Sequence, residues 1–201
     1  MRRYALIGGS CSGKSSVIRE AKERGINVIE EVARGVLEEI GWDYVADKIA
    51  TIQKTIFFRQ LNIEDALFSS DPGKDMVFMD MGLIDVLVYS NHFLGYVPFE
   101  YDLEKLSGRY DGVFALDRVP FKRDAIRIER DEQEANFFHN QIIEEYKKYG
   151  YNPIIVPTIE LEEGAPAKRL DFILSKIENG KAKTWRFAKF ILQRQGKEKW
   201  L

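Results

Sequence analysis

The residue types best spaced for chemistry lie in one run, Gly8, Gly9, Ser10, Cys11, Ser12, Gly13, Lys14, Ser15 and Ser16, directly after the apolar segment Tyr4-Ala5-Leu6-Ile7. Gly8, Gly13, Lys14 and Ser15 meet the spacing G-x-x-x-x-G-K-[ST] in full. Glycines let the backbone turn its N–H groups into one concavity, and a helix starting there adds the positive end of its dipole. The natural occupant is an anionic polyphosphate, which makes every residue of the run a candidate nucleotide contact. Lys14 would lie along the outer phosphates, and the Ser15 hydroxyl would ligate a magnesium ion bridging them. Cys11 has two readings: a redox brake, because a thiol near a helix N-terminus can have a lowered pKa, or simply a small residue that fits the loop.

Three further groups are candidates by position. Asp80 closes the apolar run Met76-Val77-Phe78-Met79, where a carboxylate beside a phosphate loop can hold magnesium or its waters. An acid that ends a strand for solubility is the plainer alternative. Asp85, in the same turn, reads equally as a substrate contact or as a charge matched to a helix start. Glu31 and Arg34 follow the run Ile26–Ile29 at the sheet edge where open α/β folds bind ligands. Glu31 could take a proton from an attacking hydroxyl, with Arg34 gripping an anionic part of the substrate; solvated charges at a helix start are the bland reading. Finally, Asp117 to Arg130 concentrates five cations: Arg118, Lys122, Arg123, Arg127 and Arg130. A cationic lid over a migrating phosphoryl group would use them, Arg123 and Arg127 above all, whereas a solvated helix face would not.

These groups need a scaffold that brings them to one edge. The spacing predicts strands at 4–7, 26–29, 76–79, 112–116 and 153–156. Between them fall helices at 15–24 (ended by Gly25), 32–40 (ended by Gly41), one long or two consecutive helices over 43–68, then 85–94, a helix running to Tyr149, and 166–177. Ser69-Ser70-Asp71-Pro72-Gly73 punctuates the chain before the third strand. Apolar strands alternating with helices describe a doubly wound parallel sheet.

Composition bounds the partners. At 201 residues and 45% hydrophobic content the chain suits one domain over residues 1–180, with a lid around 118–134 and a separate tail at 181–201. A net charge of −2 and a pI near 5.9 argue against a broad nucleic-acid-binding surface. No apolar run approaches the ~18 residues of a membrane helix, so a cytoplasmic protein without membrane contact is expected. One cysteine excludes an internal disulfide, and two histidines offer no basis for a zinc site. The tail is basic and aromatic, carrying Trp185, Arg186, Lys189, Arg194 and Trp200. It reads as a helix packing on the body or on a second copy in a homodimer; the sharper alternative is a local nucleic-acid or acidic-partner contact.

Taken in order, Gly8 to Ser16, Val28 to Arg34, Arg59-Gln60, Val77 to Asp85, Arg123 to Arg127 and Tyr146 to Val156 resemble the small AAA-type ATPase/kinase-like domain family. That family is similar to the nicotinamide-riboside kinase domain and to thymidylate and deoxynucleoside kinases. The resemblance covers residues 4–178 and implies a P-loop NTPase three-layer sandwich with a five-stranded parallel sheet of order 2-3-1-4-5. It places Glu31 and Arg34 on the family's acidic-arginine motif, Asp80 on the strand-end aspartate, Asp85 on the following acid, and Arg123, Asp124 and Arg127 on the lid motif. Two positions depart from the pattern: Met81 where arginine is common, and Ala125 where glycine is common.

The function so expected is ATP- and magnesium-dependent phosphoryl transfer to a small hydroxyl or phosphate acceptor, nucleosides and nucleotides among them. Lys14 and the loop would hold the phosphates, Ser15 and Asp80 the magnesium, Glu31, Arg34 and Asp85 the acceptor, and Arg123 and Arg127 the migrating group. The rival from another class is a slow NTPase that serves as a nucleotide-dependent switch or nucleic-acid-associated ATPase acting through residues 181–201. A binding module without turnover is the third.

Overall fold

Alternate residues of the central strands divide between two apolar layers, and that alternation builds the architecture. The structure, a computed structural model, describes residues 1–41, 46–70, 76–119, 129–158 and 164–180. In chain order the elements are β1 (Arg2–Ile7), α1 (Lys14–Glu23), β2 (Asn27–Ile29), α2 (Val32–Ile40), α3 (Ala46–Ser70), β3 (Met76–Asp80), α4 (Leu83–Leu94), α5 (Leu103–Ser107), β4 (Gly112–Leu116), α6 (Glu132–Lys148), β5 (Ile154–Val156) and α7 (Ala165–Glu178). The five strands form one all-parallel sheet in the order β2-β3-β1-β4-β5, as the resemblance implies.

On one face Ala5, Ile7, Val77, Met79, Val113 and Ala115 pack with the apolar sides of α2, α3, α4 and α6. On the other, Tyr4, Leu6, Phe78, Phe114, Leu116 and Val156 pack with α1 and α7. Tyr4 anchors this second layer, its ring 5.7 Å from Phe78 and 6.0 Å from Phe114. Period-two alternation with both faces apolar is what a sheet covered by helices on each side requires. β1 lies between β3 and β4, so the chain reverses its order of strand addition at the carboxyl end of β1, where open α/β sheets form their ligand crevice.

The helices depart from the sequence expectation at α4, α5 and α6. α4 starts at Leu83 rather than Asp85: Leu83 and Ile84 are fully buried and apolar, and Asp85, inside the first turn, accepts from the Gly82 N–H. Residues 46–70 make one long helix, the first of the two alternatives that the spacing leaves open. The short α5 was not anticipated. It is started by Asp102, whose carboxylate accepts from Glu104 N at 2.9 Å and Lys105 N at 3.3 Å, and is too brief to show periodicity. α6 begins at Glu132, inside the expected lid range, where Asp131 accepts from Glu134 N at 2.9 Å. Arg123, Asp124, Ala125 and Arg127, the turn at 71–73 and the whole of 181–201 lie outside the described residues.

Candidate active site

A cleft of about 950 Å³ opens at the carboxyl ends of β1, β2 and β3, near the upper end of the roughly 300–1,000 Å³ usual for small-molecule sites. Its first wall is the loop between β1 and α1. Gly13, at φ 76°, takes the left-handed conformation that releases the chain into α1. Gly9 is glycine for a different reason: a Cβ there would stand 2.6 Å from Ala135 O, because α6 packs directly on the loop. The Gly9 N–H also faces His139 Nδ1 of α6 at 3.4 Å, and burial lowers the pKa of that imidazole.

Lys14 Nζ donates to Gly8 O at 2.6 Å, to Gly9 O at 3.3 Å and to Ser12 Oγ at 3.4 Å, which centres the ammonium over the loop. Its charge reaches Glu31, Asp80 and Asp85 and favours the ionised form of each. Cys11 is half-buried in the left-handed region, φ 59°, and its carbonyl accepts from Val119 N at 2.8 Å.

Across the sheet edge, the Ser15 hydroxyl lies near the Asp80 carboxylate and favours its ionised form. Asp80 is 1% exposed and its Oδ1 has no hydrogen-bond partner. Burial pushes the Asp80 pKa up, and Lys14 and the Ser15 hydroxyl oppose the rise. A buried, unpartnered carboxylate oxygen beside a hydroxyl is a donor set that fits magnesium, which takes one or two protein oxygens and fills its remaining positions with phosphate and water. Among the described residues no group of three or more His, Cys, Asp or Glu side chains could hold a metal by itself.

The far wall comes from α2, α3 and α4. Glu31 stands at the head of α2, its Oε2 3.8 Å from Arg34 Nε. Its pKa is raised, first by burial and then by the negative charge of Asp80, against the pull of Lys14 and Arg34. Met81, left-handed at φ 68°, lines the cleft where its departure from the family pattern leaves no cation. Asp85 lines it too, yet its Oδ2 accepts from Gly82 N at 3.0 Å and Tyr146 Oη at 2.7 Å, so the carboxylate both fastens the start of α4 and faces the site. The structure thus gathers Lys14, Ser15, Glu31, Arg34, Asp80 and Asp85 around one cleft. Arg118 does not point into it: its guanidinium bonds Ser10 O at 2.8 Å, Glu132 at 2.7 Å and Asn136 at 2.6 Å.

Three cleft residues escaped the sequence reading. Glu129, 2% exposed, accepts from Ser10 Oγ and from Tyr89 Oη, each at 2.8 Å. Tyr89 in turn stacks on Phe138 at 4.4 Å. Gln53 of α3 is 3% exposed, lines the cleft and makes no hydrogen bond to a described residue. No motif spacing marks these three; only the helical period of α3 and α4 could have placed Gln53 and Tyr89 on inward faces.

A family model for the AAA domain matches residues 3–163. The chain belongs to the AAA domain family. Solved structures share the fold of this AAA domain. NadR protein in complex with NR superposes at a TM-score of 0.64 and 19% identity over 90% of this chain, which spans only 50% of the NadR chain. Deoxyadenosine kinase from M. mycoides with bound dATP gives 0.53 and 17% over 88% of this chain and 99% of its own. Shikimate kinase from Acinetobacter baumannii in complex with shikimate gives 0.51 and 19% over 91% and 96%. No curated protein matches the sequence. The AAA domain therefore has the P-loop kinase-like fold that its sequence motifs imply. Among the described residues no helix is long and apolar enough to cross a membrane.

Proposed function

We propose that this AAA domain is an ATP- and magnesium-dependent phosphotransferase acting on a small acceptor that presents a hydroxyl group. The observation that carries the reading is the convergence of Lys14, the Ser15–Asp80 oxygen pair and Glu31 on one cleft at the strand-order reversal.

In this reading the loop amides and Lys14 bind the polyphosphate, and Ser15 and Asp80 hold the metal. Magnesium, when bound, neutralises charge on the phosphates. Glu31, made more basic by burial and by Asp80, receives the acceptor's proton. The Gln53 amide, which has no hydrogen bond to a described residue, orients the acceptor on the opposite wall with Arg34 and Asp85. Arg123 and Arg127 belong to a lid around 118–134 that closes over the migrating group. Glu30, Glu31, Asp80, Asp85 and Glu129 outnumber Lys14, Arg19 and Arg34 in the cleft lining, which favours an acceptor without a phosphate of its own. The bound molecules named with the fold's solved relatives, NR, shikimate and dATP, fit a site of this scale.

The test is transfer from γ-labelled ATP to a panel of nucleosides, other hydroxyl compounds and nucleoside monophosphates. Label on a hydroxyl acceptor is the expected result. Label on monophosphates alone would replace the acceptor class, and label released only as inorganic phosphate across the panel would make the protein an NTPase.

A further inference from the structure

Arg169, in the second turn of α7, is 5% exposed and spends its guanidinium on the backbone. One terminal nitrogen donates to Ser12 O at 2.6 Å; the other donates to Asp117 O at 2.9 Å and Val156 O at 3.2 Å. Its Nε is buried without a partner. The three carbonyls come from the phosphate loop and from the carboxyl ends of β4 and β5. The same guanidinium would lie 3.0 Å from a Cβ at Gly13, so it sits directly behind the turn into α1.

Two features of this arrangement call for an explanation. Arginine normally enters a protein interior with a carboxylate, because an uncompensated buried charge costs several kcal/mol. Arg169 has no ion pair among the described residues. Burial lowers its pKa, and the carboxylate of Asp117 only partly opposes this at longer range. Second, in a trans peptide the C=O and N–H point to opposite sides. A donor fixed on Ser12 O therefore holds the Gly13 N–H away from itself, toward the loop interior. A hydrogen bond to a peptide carbonyl also polarises the N–H of that same peptide.

We propose that Arg169 is a positioning residue for the phosphate site: it fixes the Ser12–Gly13 peptide with its N–H turned inward and sets a buried positive charge behind it. A polyphosphate in the loop then supplies the counter-charge that no ion pair with a described carboxylate provides. This rests on the reading that the loop binds a polyphosphate. Arg169 acts through the loop and takes no part in proton or phosphoryl movement.

The experiment compares wild type with Arg169→Gln and Arg169→Lys, each full-length, by calorimetric titration with inorganic tripolyphosphate and with ATP, after melting curves have verified folding. The expected result is at least a tenfold weaker Kd for both ligands in Arg169→Gln, by the same factor for each, and an intermediate loss in Arg169→Lys. Wild-type affinity in the folded variants overturns the proposal, as does a loss confined to ATP, which would trace to the base. Failure of wild type itself to bind either ligand would instead sink the underlying phosphotransferase reading. If neither variant folds, wild type labelled with ¹⁵N-arginine decides: a slowly exchanging Nε–H resonance should move on adding tripolyphosphate, and a spectrum in which none moves overturns the proposal.

Discussion

The Tyr146 hydroxyl donates to Asp85 Oδ2 at 2.7 Å, across 61 residues of chain, and so binds α6 to the first turn of α4 at the edge of the cleft. Both groups are buried. The pair lies beside Gly82, whose missing side chain makes room for it: a Cβ there would stand 2.3 Å from Tyr146 Oη and 2.8 Å from Tyr110 Oη. Tyr110 Oη accepts from Leu83 N at 2.8 Å and faces Glu64 at 3.2 Å, which continues the polar chain toward Arg109. One glycine is thereby the meeting point of α6, the start of α4 and the turn before β4.

Asp85 makes stability depend on pH. Burial raises its pKa from 3.8 to about 6, against the hydrogen bonds from Tyr146 and Gly82. A carboxyl whose pKa is higher when folded favours the fold below its unfolded pKa, and that contribution is lost as pH rises through the folded value. The loss amounts to roughly 3 kcal/mol at 1.36 kcal/mol per pH unit. Asp85→Asn removes it, so in urea titrations the variant should gain on wild type as pH climbs from 3.8 to above 6. A stability difference that is flat across that window would contradict the assignment.

Gly82→Ala should destabilise the protein by about 1–3 kcal/mol through overpacking against the two tyrosine hydroxyls. The backbone there is extended, φ −123°, so the penalty is steric and not conformational. Adding Tyr146→Phe removes the nearer oxygen, and the alanine should then cost less than it does alone. Strict additivity in the double-mutant cycle would show that the two sites do not touch.

Arg109 is paired with Glu64, whose side chain is fully buried, and with Asp65 at 2.7 Å. Arg109→Met should cost about 3–5 kcal/mol, because it strands the Glu64 charge in the core. Replacing Glu64 by Leu in the same chain should recover part of that loss in denaturant unfolding. Equal stability of the single and double variants would refute the account.

Much of the site could be read from the sequence because its central parts are contiguous or sit at strand ends. The glycine-lysine run, Asp80 after an apolar strand, and Glu31 after a short one are local signals, and the strand-helix alternation carried them to one edge. Glu129, Gln53, Tyr89 and Arg169 were illegible for the opposite reason. Glu129 acts through Ser10 and Tyr89, and Arg169 through Ser12, Asp117 and Val156, all distant in the chain, whereas Gln53 is placed only by the packing of α3. Gly9 reads in the sequence as one of the glycines that let the loop turn, and in the structure it is a contact surface for α6. The helix start at Leu83 was hidden because its first two residues, Leu83 and Ile84, are apolar and the acid that fastens the turn, Asp85, stands inside it.

Asp80→Asn tests the metal. The amide keeps the size of the carboxylate and loses its charge, so the variant should fold and still bind metal-free ATP. The tightening of ATP binding by magnesium should shrink by about tenfold or more, which is 1.4 kcal/mol. Calorimetry with and without magnesium reads this directly, and an undiminished magnesium effect would move the metal off Asp80.

The most direct test of the central claim is the rate of label transfer from γ-labelled ATP by Lys14→Ala. Lys14 is the cation fixed over the loop by Gly8, Gly9 and Ser12 and felt by Glu31, Asp80 and Asp85. Removing it should cost on the order of 3–4 kcal/mol of transition-state stabilisation, a fall in turnover of about 10²–10³, while melting curves stay close to wild type. Transfer by a folded Lys14→Ala protein at the wild-type rate would contradict the account.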